Sequence, residues 1–293
     1  MEINAAQVKE LREMTGIGMM QCKKALADTN GDMEKAVDML RKLGEATATK
    51  RAGKAAKEGK ISVISDATCA ILYEVNSETD FVARNDDFLE FTASLGKVLL
   101  AKQPATVDEA KAIVAPEFGG VSADDKVMAL ITKIGEKIAF RRFHTEKFAA
   151  DSQRVFSYIH GVGRIGVLVK VSASTPAALT SPELAELGKD LAMQIAASNP
   201  VAVNRENVNQ EIVAKEKEIY LSQAQTSGKP AAVVEKITLG KLDKFFKEMV
   251  LIEQIYIKNN EIAVSGRIEE VEKALSTKIG VVSFVRFELG SEA

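Results

Sequence analysis

The strongest constraint on the fold is a strand of buried character that leads directly into a helix. Residues 70–75 (AILYEV) are apolar apart from one glutamate and have the length of a strand. Ser77, followed by Asp80 three residues later, is typical of a capping box, and large apolar residues recur at helical spacing as far as Leu100. The pattern predicts a helix that packs on a sheet, and therefore an α+β fold for this part of the chain.

A carboxylate and a bulky ring stand side by side on the first turn of that helix, at Asp80 and Phe81. In one interpretation the carboxylate complements the helix dipole and the ring packs back against the sheet. In the other, the pair is presented to a partner. The acid then competes for a cation or a hydrogen-bond donor, and the ring acts as a wedge. Local physics leaves both interpretations open.

Residues 79–85 (TDFVARN) resemble the signature of the elongation factor Ts family, the bacterial guanine-nucleotide exchange factors for elongation factor Tu. Further segments agree with the family and occur in its order. They are residues 11–26 (LREMTGIGMMQCKKAL), 158–161 (YIHG) with 164–168 (RIGVL), 196–200 (AASNP) and 284–288 (FVRFE). The resemblance therefore runs essentially from end to end.

The resemblance implies that the chain binds elongation factor Tu, both GDP-bound and nucleotide-free. It would promote GDP release and hold the empty state until GTP binds, with no covalent chemistry, catalytic residue, metal or cofactor of its own. The residues implied to disturb the partner's Mg²⁺ and phosphate site are Thr79, Asp80, Phe81 and Val82. Those implied to bind the partner are Arg12, Met19, Met20, Lys23, Arg84, Asn85, His160 and Gly161.

Two residues depart from the family pattern. Val162 stands where the family often has glycine, which stiffens the corner beside His160. Gln194 stands where the family pattern leads us to expect histidine. Both departures concern the contact that the resemblance implies between His160 and the partner, and neither lies within the signature residues 79–85.

The composition limits the classes of protein to which the chain can belong. A chain of 293 residues, 46% hydrophobic and 27% charged, has room for two or three compact units. A net charge of -2 gives no overall case for nucleic acid or membrane as a partner. The apolar runs are too short to span a bilayer, and the start shows no signal or transit pattern, so we expect a cytoplasmic location. Cys22 and Cys69 are expected to be reduced core thiols.

Apolar spacing and composition predict a multi-part α+β protein. The N-terminal part reads as three short helices, which in the family resemble a ubiquitin-associated domain and pack on the G domain of elongation factor Tu. A small, basic segment follows, interpreted as a linker or a frayed helix. The predicted divisions are 1–44 (three-helix domain), 45–60 (basic linker), 61–150 (first core subdomain), 151–200 with 250–293 (second core subdomain), and 201–249 (a projecting antiparallel helical hairpin of coiled-coil type).

No motif for covalent chemistry is persuasive. His144 and His160 lie in separate predicted strands, without a serine or cysteine in a known nucleophile motif. Residues 161–166 (GVGRIG) match the dinucleotide-binding pattern by letter, but they join two strands instead of opening a helix.

Two other classes remain as alternatives. An RNA-binding module would rest on the basic segment alone and predicts affinity that falls steeply with salt. A ubiquitin-type binding module would rest on the N-terminal helices and leaves most of the chain unexplained. Self-association through the core or the hairpin, and a one-to-one or two-to-two complex, are left open.

Overall fold

The computed structural model describes residues 3–226 and 230–291. The chain divides into two compact units, each of which combines helices with small sheets, as the α+β prediction requires. The first unit comprises residues 1–145, 159–166 and 287–293, and the second comprises residues 146–158 and 167–286. The finer five-part division stays a prediction.

The first unit holds the N-terminal helices and a three-stranded sheet in the order β1-β2-β5. Its elements in chain order are α1 (Ala5–Thr15), α2 (Met19–Asp28), α3 (Met33–Arg51), β1 (Glu58–Ser65), β2 (Cys69–Ser77), α4 (Asp80–Ala83), α5 (Asp86–Lys102), α6 (Val107–Ala112), β3 (Val114–Ala115), β4 (Val121–Ser122), α7 (Ala123–Ile134) and β5 (Ile138–Lys147).

Local signals in the sequence set the bounds of the N-terminal helices. Asn4 and Gln7 form a reciprocal capping box at the start of α1, and Gly16 ends that helix in the left-handed conformation. Asp32 caps α3 by accepting a hydrogen bond from the Lys35 amide at 3.1 Å. The three helices share a small core that includes the fully buried Leu11 and Leu26, which confirms the predicted three-helix domain.

The third helix is longer than the sequence indicates. The composition of residues 45–60 predicts a linker or frayed helix, but α3 continues through Arg51 and β1 begins at Glu58. The reason is tertiary: α3 packs along α7, where Gly44 allows close approach and the Arg41 guanidinium lies 3.1 Å from the Asp125 carboxylate. Further along, Ala48 packs against the core of the first unit and Arg51 pairs with Glu78 at 2.9 Å, so tertiary contacts stabilise the last turns of the helix.

The strand and helix predicted from residues 70–100 are both present, with one correction. Strand β2 is buried along its whole length and pairs antiparallel with β1. The predicted single helix is instead two, because Asn85 is extended and caps α5 through the Asp87 amide. The cap of α4 is Thr79, not the predicted Ser77.

Strand β2 and helix α5 pack closely because α5 has a glycine at the crossing. The Tyr73 hydroxyl donates a hydrogen bond to the Thr92 carbonyl at 3.0 Å, and burial raises the pKa of Tyr73 to about 12. A β-carbon on Gly96 would lie 2.3 Å from the Tyr73 hydroxyl oxygen. The contact therefore excludes any side chain at position 96.

The C-terminal residues close the first unit around a buried carboxylate. Glu74, fully buried on β2, accepts hydrogen bonds from the Arg142 side chain at 2.7 Å and from the Gly290 amide at 2.9 Å. Arg142 also donates to the Glu288 carbonyl at 2.9 Å and lies over the Phe287 ring at 4.3 Å. Residues 287–291 are thus fastened to the first sheet.

The second unit is built on a three-stranded sheet in the order β10-β7-β6, with helices between its strands in the sequence. Its elements in chain order are β6 (Gln153–His160), β7 (Ile165–Ala173), α8 (Pro182–Ser198), α9 (Gln210–Gln225), α10 (Ala231–Met249), β8 (Ile255–Tyr256), β9 (Asn259–Ala263), α11 (Val264–Leu275) and β10 (Ile279–Glu288). The ends of β6, β7 and β10 next to the 161–164 connection belong to the first unit.

Helix α8 begins where the sequence indicates, with Ser181 capping the Leu184 amide and Pro182 in the first turn. Gln194, where the resemblance leads us to expect histidine, is buried and accepts a hydrogen bond from the Ile257 amide at 2.8 Å. It therefore helps to hold the segment around β8 against α8.

Helices α9 and α10 pack against each other and form the predicted helical pair. Val234 and Thr238 of α10 are buried, and Arg205 bridges Asp243 and Glu253 near the end of the pair. Residues 227–229, within the predicted hairpin, lie outside the described residues.

Both cysteines are buried, and neither is part of a disulfide in the part of the chain that the structure describes; burial raises the pKa of the Cys22 thiol. Within residues 3–226 and 230–291, no helix combines the length and the apolar character needed to cross a bilayer.

The crossing of β2 and α5 gives a stability prediction. Gly96→Ala should lower the free energy of unfolding by about 1–3 kcal/mol, because the new methyl group overlaps the Tyr73 ring. Gly240→Ala is the matched control, since a β-carbon there meets nothing within 4 Å on helix α10. The control should gain about 0.5–1 kcal/mol from helix propensity. Urea unfolding followed by circular dichroism measures both, and equal stability of the two variants would contradict the packing argument.

Candidate functional site

The residues between β2 and α5 form a tight turn, which we call the signature turn (residues 78–85). Thr79 is extended and caps the one-turn helix α4, with its hydroxyl accepting a hydrogen bond from the Val82 amide at 3.4 Å. The Ser77 hydroxyl donates to the Thr79 carbonyl at 2.8 Å. Helix α5 then starts at once after the Asn85 cap. Two consecutive caps therefore reverse the chain within a few residues.

Two carboxylates fix the turn in place. Glu136, half-buried before β5, accepts hydrogen bonds from the Thr79 amide at 3.2 Å and from the Thr79 hydroxyl at 3.0 Å. Glu78 accepts from the Lys137 amide at 2.7 Å and pairs with Arg51 of α3 at 2.9 Å. Hydrogen bonds to an ionised carboxylate are among the stronger ones in proteins, so the turn is firmly held.

The held turn separates its two apolar side chains. The Val82 side chain is buried and belongs to the core beneath α5. The Phe81 ring lies on the other side, with 82% of its surface exposed. The interpretation in which Phe81 packs back against the sheet is therefore wrong, because the caps point residue 81 away from the core. Val82 acts as the internal anchor of the exposed ring.

The carboxylate beside the ring already has a cationic partner. The Arg84 guanidinium lies 3.1 Å from the Asp80 carboxylate, one helical turn away; the Arg84 side chain is exposed and that of Asp80 is about half exposed. An exposed pair of this kind is worth little to stability. Asp80 can therefore exchange Arg84 for another cation or donor at small cost.

The turn shares a pocket with a second predicted site. A pocket of about 250 Å³ is lined by Glu58, Gly59, Lys60, Asp80, Ala83, Arg84, Leu89, Gly161, Val162, Arg164 and Leu289. All of these residues lie in the first unit. The structure thus brings the Asp80–Arg84 pair together with Gly161, two sites that are about 80 positions apart in the sequence.

We call residues 160–164 the glycine corner; it joins β6 to β7. His160 is exposed at the end of β6. The GVGRIG run lies between two strands and opens no helix, so the structure agrees with the exclusion of a dinucleotide-binding loop.

The predicted residues of the N-terminal helices lie on a different part of the first unit. Arg12 and Lys23 are exposed, and so are both Met19 and Met20, the latter at 76%. Helical geometry alone requires only that adjacent methionines are not both buried on one face. Both face solvent because the buried positions of α2 begin at Cys22 and Ile17 fills the core before the helix.

Sequence reasoning missed several residues that shape these surfaces. Met14, at the end of α1, is exposed and lies close to Met19 and Met20 in the sequence. Its exposure could have been predicted, because it lies off the face of α1 that carries the buried Val8 and Leu11. Glu136 lies 57 residues from Thr79, and no local pattern marks it as a partner of the turn. Arg51 falls within the predicted linker, which concealed its contact with Glu78.

The site can act through contact and charge. In the part of the chain that the structure describes, no group of three or more histidine, cysteine or acidic side chains is arranged to hold a metal ion. The first unit offers an exposed ring on a held turn, a carboxylate that can change its partner, and exposed methionines on the N-terminal helices. Such features suit displacement of elements in a partner protein.

Two family models match the chain. The model described as "Elongation factor TS" matches residues 78–291, and the one described as "UBA-like domain" matches residues 7–43. Together they cover the signature turn, the glycine corner and most of the N-terminal helices.

Individual relatives match over nearly the whole length. The protein named Elongation factor Ts from Clostridium botulinum is 44% identical over 291 residues, which cover 98% of this chain and 93% of that protein. The one from Chlorobium luteolum is 44% identical over 292 residues and 99% of each chain. The one from Syntrophotalea carbinolica is 43% identical over 290 residues, which cover 99% and 94%.

The hold of Glu136 on the turn gives a second prediction. Glu136→Ala should destabilise the turn by about 1.5–3 kcal/mol, because it removes a charged acceptor from Thr79. Hydrogen exchange at the Val82 and Ala83 amides should become faster. Glu136→Gln keeps an oxygen acceptor and should lose less, and the exposed Glu90→Ala is the control on α5. Unchanged exchange at both amides in Glu136→Ala would show that other contacts fix the turn.

Proposed function

The chain belongs to the elongation factor Ts family, and we propose that it performs the family's exchange reaction on elongation factor Tu through the signature turn. It binds the GDP-bound partner, disturbs the Mg²⁺ and phosphate site, and holds the nucleotide-free state until GTP binds. The observation that carries the proposal is the exposed Phe81 ring on a turn fixed by Glu78 and Glu136. No covalent bond changes in this reaction.

Thermodynamic linkage explains how binding of this chain would promote GDP release. A protein that binds the empty state of elongation factor Tu more tightly than the GDP-bound state must weaken GDP affinity by the same factor. Mg²⁺ neutralises phosphate charge, so any shift of the elements that hold the metal weakens GDP binding. In this proposal Asp80 and the Phe81 ring intrude near the metal, with Thr79 and Val82 as their support.

The ring alone supplies too little free energy. Burying one phenylalanine contributes roughly 1.5–3 kcal/mol, which corresponds to about one or two powers of ten in an equilibrium constant. A large acceleration of GDP release therefore needs additional binding free energy from elsewhere on the chain.

The N-terminal helices are the proposed source of that binding energy. Their exposed methionines, Met14, Met19 and Met20, offer a flexible apolar surface that adapts to a partner. Arg12 and Lys23 add positive charge beside it. In the family this domain packs on the G domain of elongation factor Tu, and we propose the same contact here.

The two surfaces are mechanically joined within the first unit. Helix α3 starts in the N-terminal domain and ends at Arg51, which pairs with Glu78 of the signature turn at 2.9 Å. Binding through the methionines therefore positions the ring with little further loss of conformational freedom. Without this connection, the free energy gained by binding through the methionines would not contribute to positioning the Phe81 ring.

The remaining predicted contacts complete the proposal. Arg84 leaves Asp80 when the carboxylate meets its new partner, and Asn85 lies at the edge of that contact. His160 and Gly161 approach the G domain from the glycine corner. A one-to-one or two-to-two complex, and self-association through the core or the hairpin, stay open. We propose that the reaction takes place in the cytoplasm, as expected of a translation factor.

Phe81 is tested by the kinetics of exchange. Phe81→Ala should lower the maximal rate of GDP release by about 10-fold or more, because the ring acts on the partner's metal site. Its affinity for the nucleotide-free partner should fall less. Stopped-flow release of fluorescent GDP from elongation factor Tu gives the rate, and calorimetry gives the affinity.

The matched control for this variant is Val114→Ala, which also removes an exposed apolar side chain from the first unit. It should leave rate and affinity unchanged. Equal losses of rate and affinity in Phe81→Ala would refute the wedge. No acceleration by the intact wild-type chain would refute exchange altogether, and RNA binding as a function of salt would then be measured.

Met20 is tested by the opposite pattern. Met20→Ala should raise the concentration of this chain needed for half-maximal exchange by about 5–10-fold, because it removes apolar contact area from the anchoring surface. The rate at saturation should stay near that of the wild type. Met39→Ala, which alters a less exposed methionine on α3, serves as the control. A fall in the saturating rate, with unchanged affinity, would count against the anchoring role.

A further inference from the structure

The glycine corner contains a residue in an unfavourable backbone conformation. Val162 has φ +58°, in the left-handed region, which a β-branched side chain rarely adopts. Its side chain has 89% of its surface exposed. The folded chain thus bears backbone strain at this position, and almost no intramolecular contact compensates for it.

The conformation is imposed by the surroundings. Gly161 and Gly163 on either side also have positive φ, +60° and +99°. The Arg164 amide donates to the His160 carbonyl at 3.0 Å, and the Ile61 amide donates to the Gly163 carbonyl at 2.9 Å. The residue between these anchor points has no freedom to relax.

The corner is also fixed from its outer side. The Leu289 amide donates to the Arg164 carbonyl at 2.8 Å, and the Arg164 guanidinium pairs with the Glu58 carboxylate at 3.1 Å. A β-carbon on Gly163 would lie 2.7 Å from the Lys60 side chain, so the corner packs closely on β1 and leaves no room for a side chain at position 163. Strain persists where several contacts determine the backbone at once, and such places cluster at functional sites.

We propose that Val162 is a specificity-determining contact for elongation factor Tu, presented in a fixed direction to enter a shallow apolar recess on that partner. The inference rests on the proposed exchange function and adds a residue to it. Glycine or asparagine would satisfy the backbone of this corner without strain. What valine adds is an exposed apolar group, whose benefit arises only when something outside the chain covers it.

The position of Val162 identifies the occupant as the same partner. Val162 lines the pocket that Asp80, Ala83 and Arg84 also line, and Asp80 directly precedes the exposed Phe81 in the sequence. The pocket pairs opposite charges, Asp80 with Arg84 and Glu58 with Arg164. A surface of two exposed apolar groups around balanced charges suits a folded protein, whereas nucleic acid would favour excess positive charge.

The experiment compares three variants of the full chain. Val162→Gly and Val162→Asn remove the apolar group and relieve the strain. Val162→Ile keeps both the branching and the apolar character. The measurements are thermal stability of the free chain, calorimetric affinity for nucleotide-free elongation factor Tu, and stopped-flow GDP release.

We expect the two strain-relieving variants to melt about 2–4 °C higher than the wild type, since removal of the strain stabilises the free chain. Their affinity for the partner should nevertheless weaken by about 10-fold, because an apolar contact is lost. Val162→Ile should keep affinity within about 3-fold of the wild type. Higher stability together with weaker binding is a pattern that a purely structural role would not produce.

Two results would overturn the inference while the exchange function stands. One is wild-type affinity in Val162→Gly and Val162→Asn, which would make the valine incidental to a strained corner. The other is a lower melting temperature in both variants, which would mean that valine stabilises the free chain. Failure of the wild-type chain to accelerate GDP release would instead count against the exchange function itself, so the two failures can be told apart.

Discussion

The first unit depends on two carboxylates that hold one short turn. The signature turn leaves a sheet and enters a helix within a few residues, so several of its backbone amides cannot find partners in regular structure. Glu136 accepts a hydrogen bond from the Thr79 amide, and Glu78 connects the turn to Arg51 and to the Lys137 amide. Because these hydrogen bonds and the ion pair connect different elements, the turn, the end of α3 and the residues before β5 form one framework. An exposed ring can persist on such a framework, since it is prevented from collapsing onto the body.

The sequence was most informative where the determinants are local. The cap of α8 at Ser181, the left-handed end of α1 at Gly16 and the hairpin of β1 and β2 follow from residues a few positions apart. It was misleading where tertiary contacts decide. The extension of α3 depends on α7, about 80 positions away, and the hold on Thr79 comes from Glu136. For the candidate site, the resemblance supplied a proposed set of residues, which stays a prediction, and the exposure of Phe81 and the strain at Val162 became visible only in the structure.

Exposed apolar side chains are common on proteins and mean little one at a time. Here the arrangement is informative. Phe81 is opposed by the buried Val82, Val162 is confined between two positive-φ glycines, and Met19 and Met20 precede the buried face of α2. In each case the backbone, fixed by caps, glycines or the helix core, decides that the side chain points outward. The cost to the free chain differs among them, and of these four side chains Val162 alone combines exposure with backbone strain.

The fastening of Gly290 to Glu74 has a consequence for how the chain is made. The first unit is assembled from three stretches of sequence, and the last of them, residues 287–291, emerges from the ribosome only after the other two. Until then Glu74 lacks the hydrogen bond from the Gly290 amide, and Arg142 lacks its bond to the Glu288 carbonyl. The ion pair of the first sheet is therefore incompletely hydrogen-bonded during synthesis. The second unit, which is encoded in between, emerges before that final contact can form. The first unit therefore closes only after residues 287–291 are available, although its N-terminal helices are synthesised well before them.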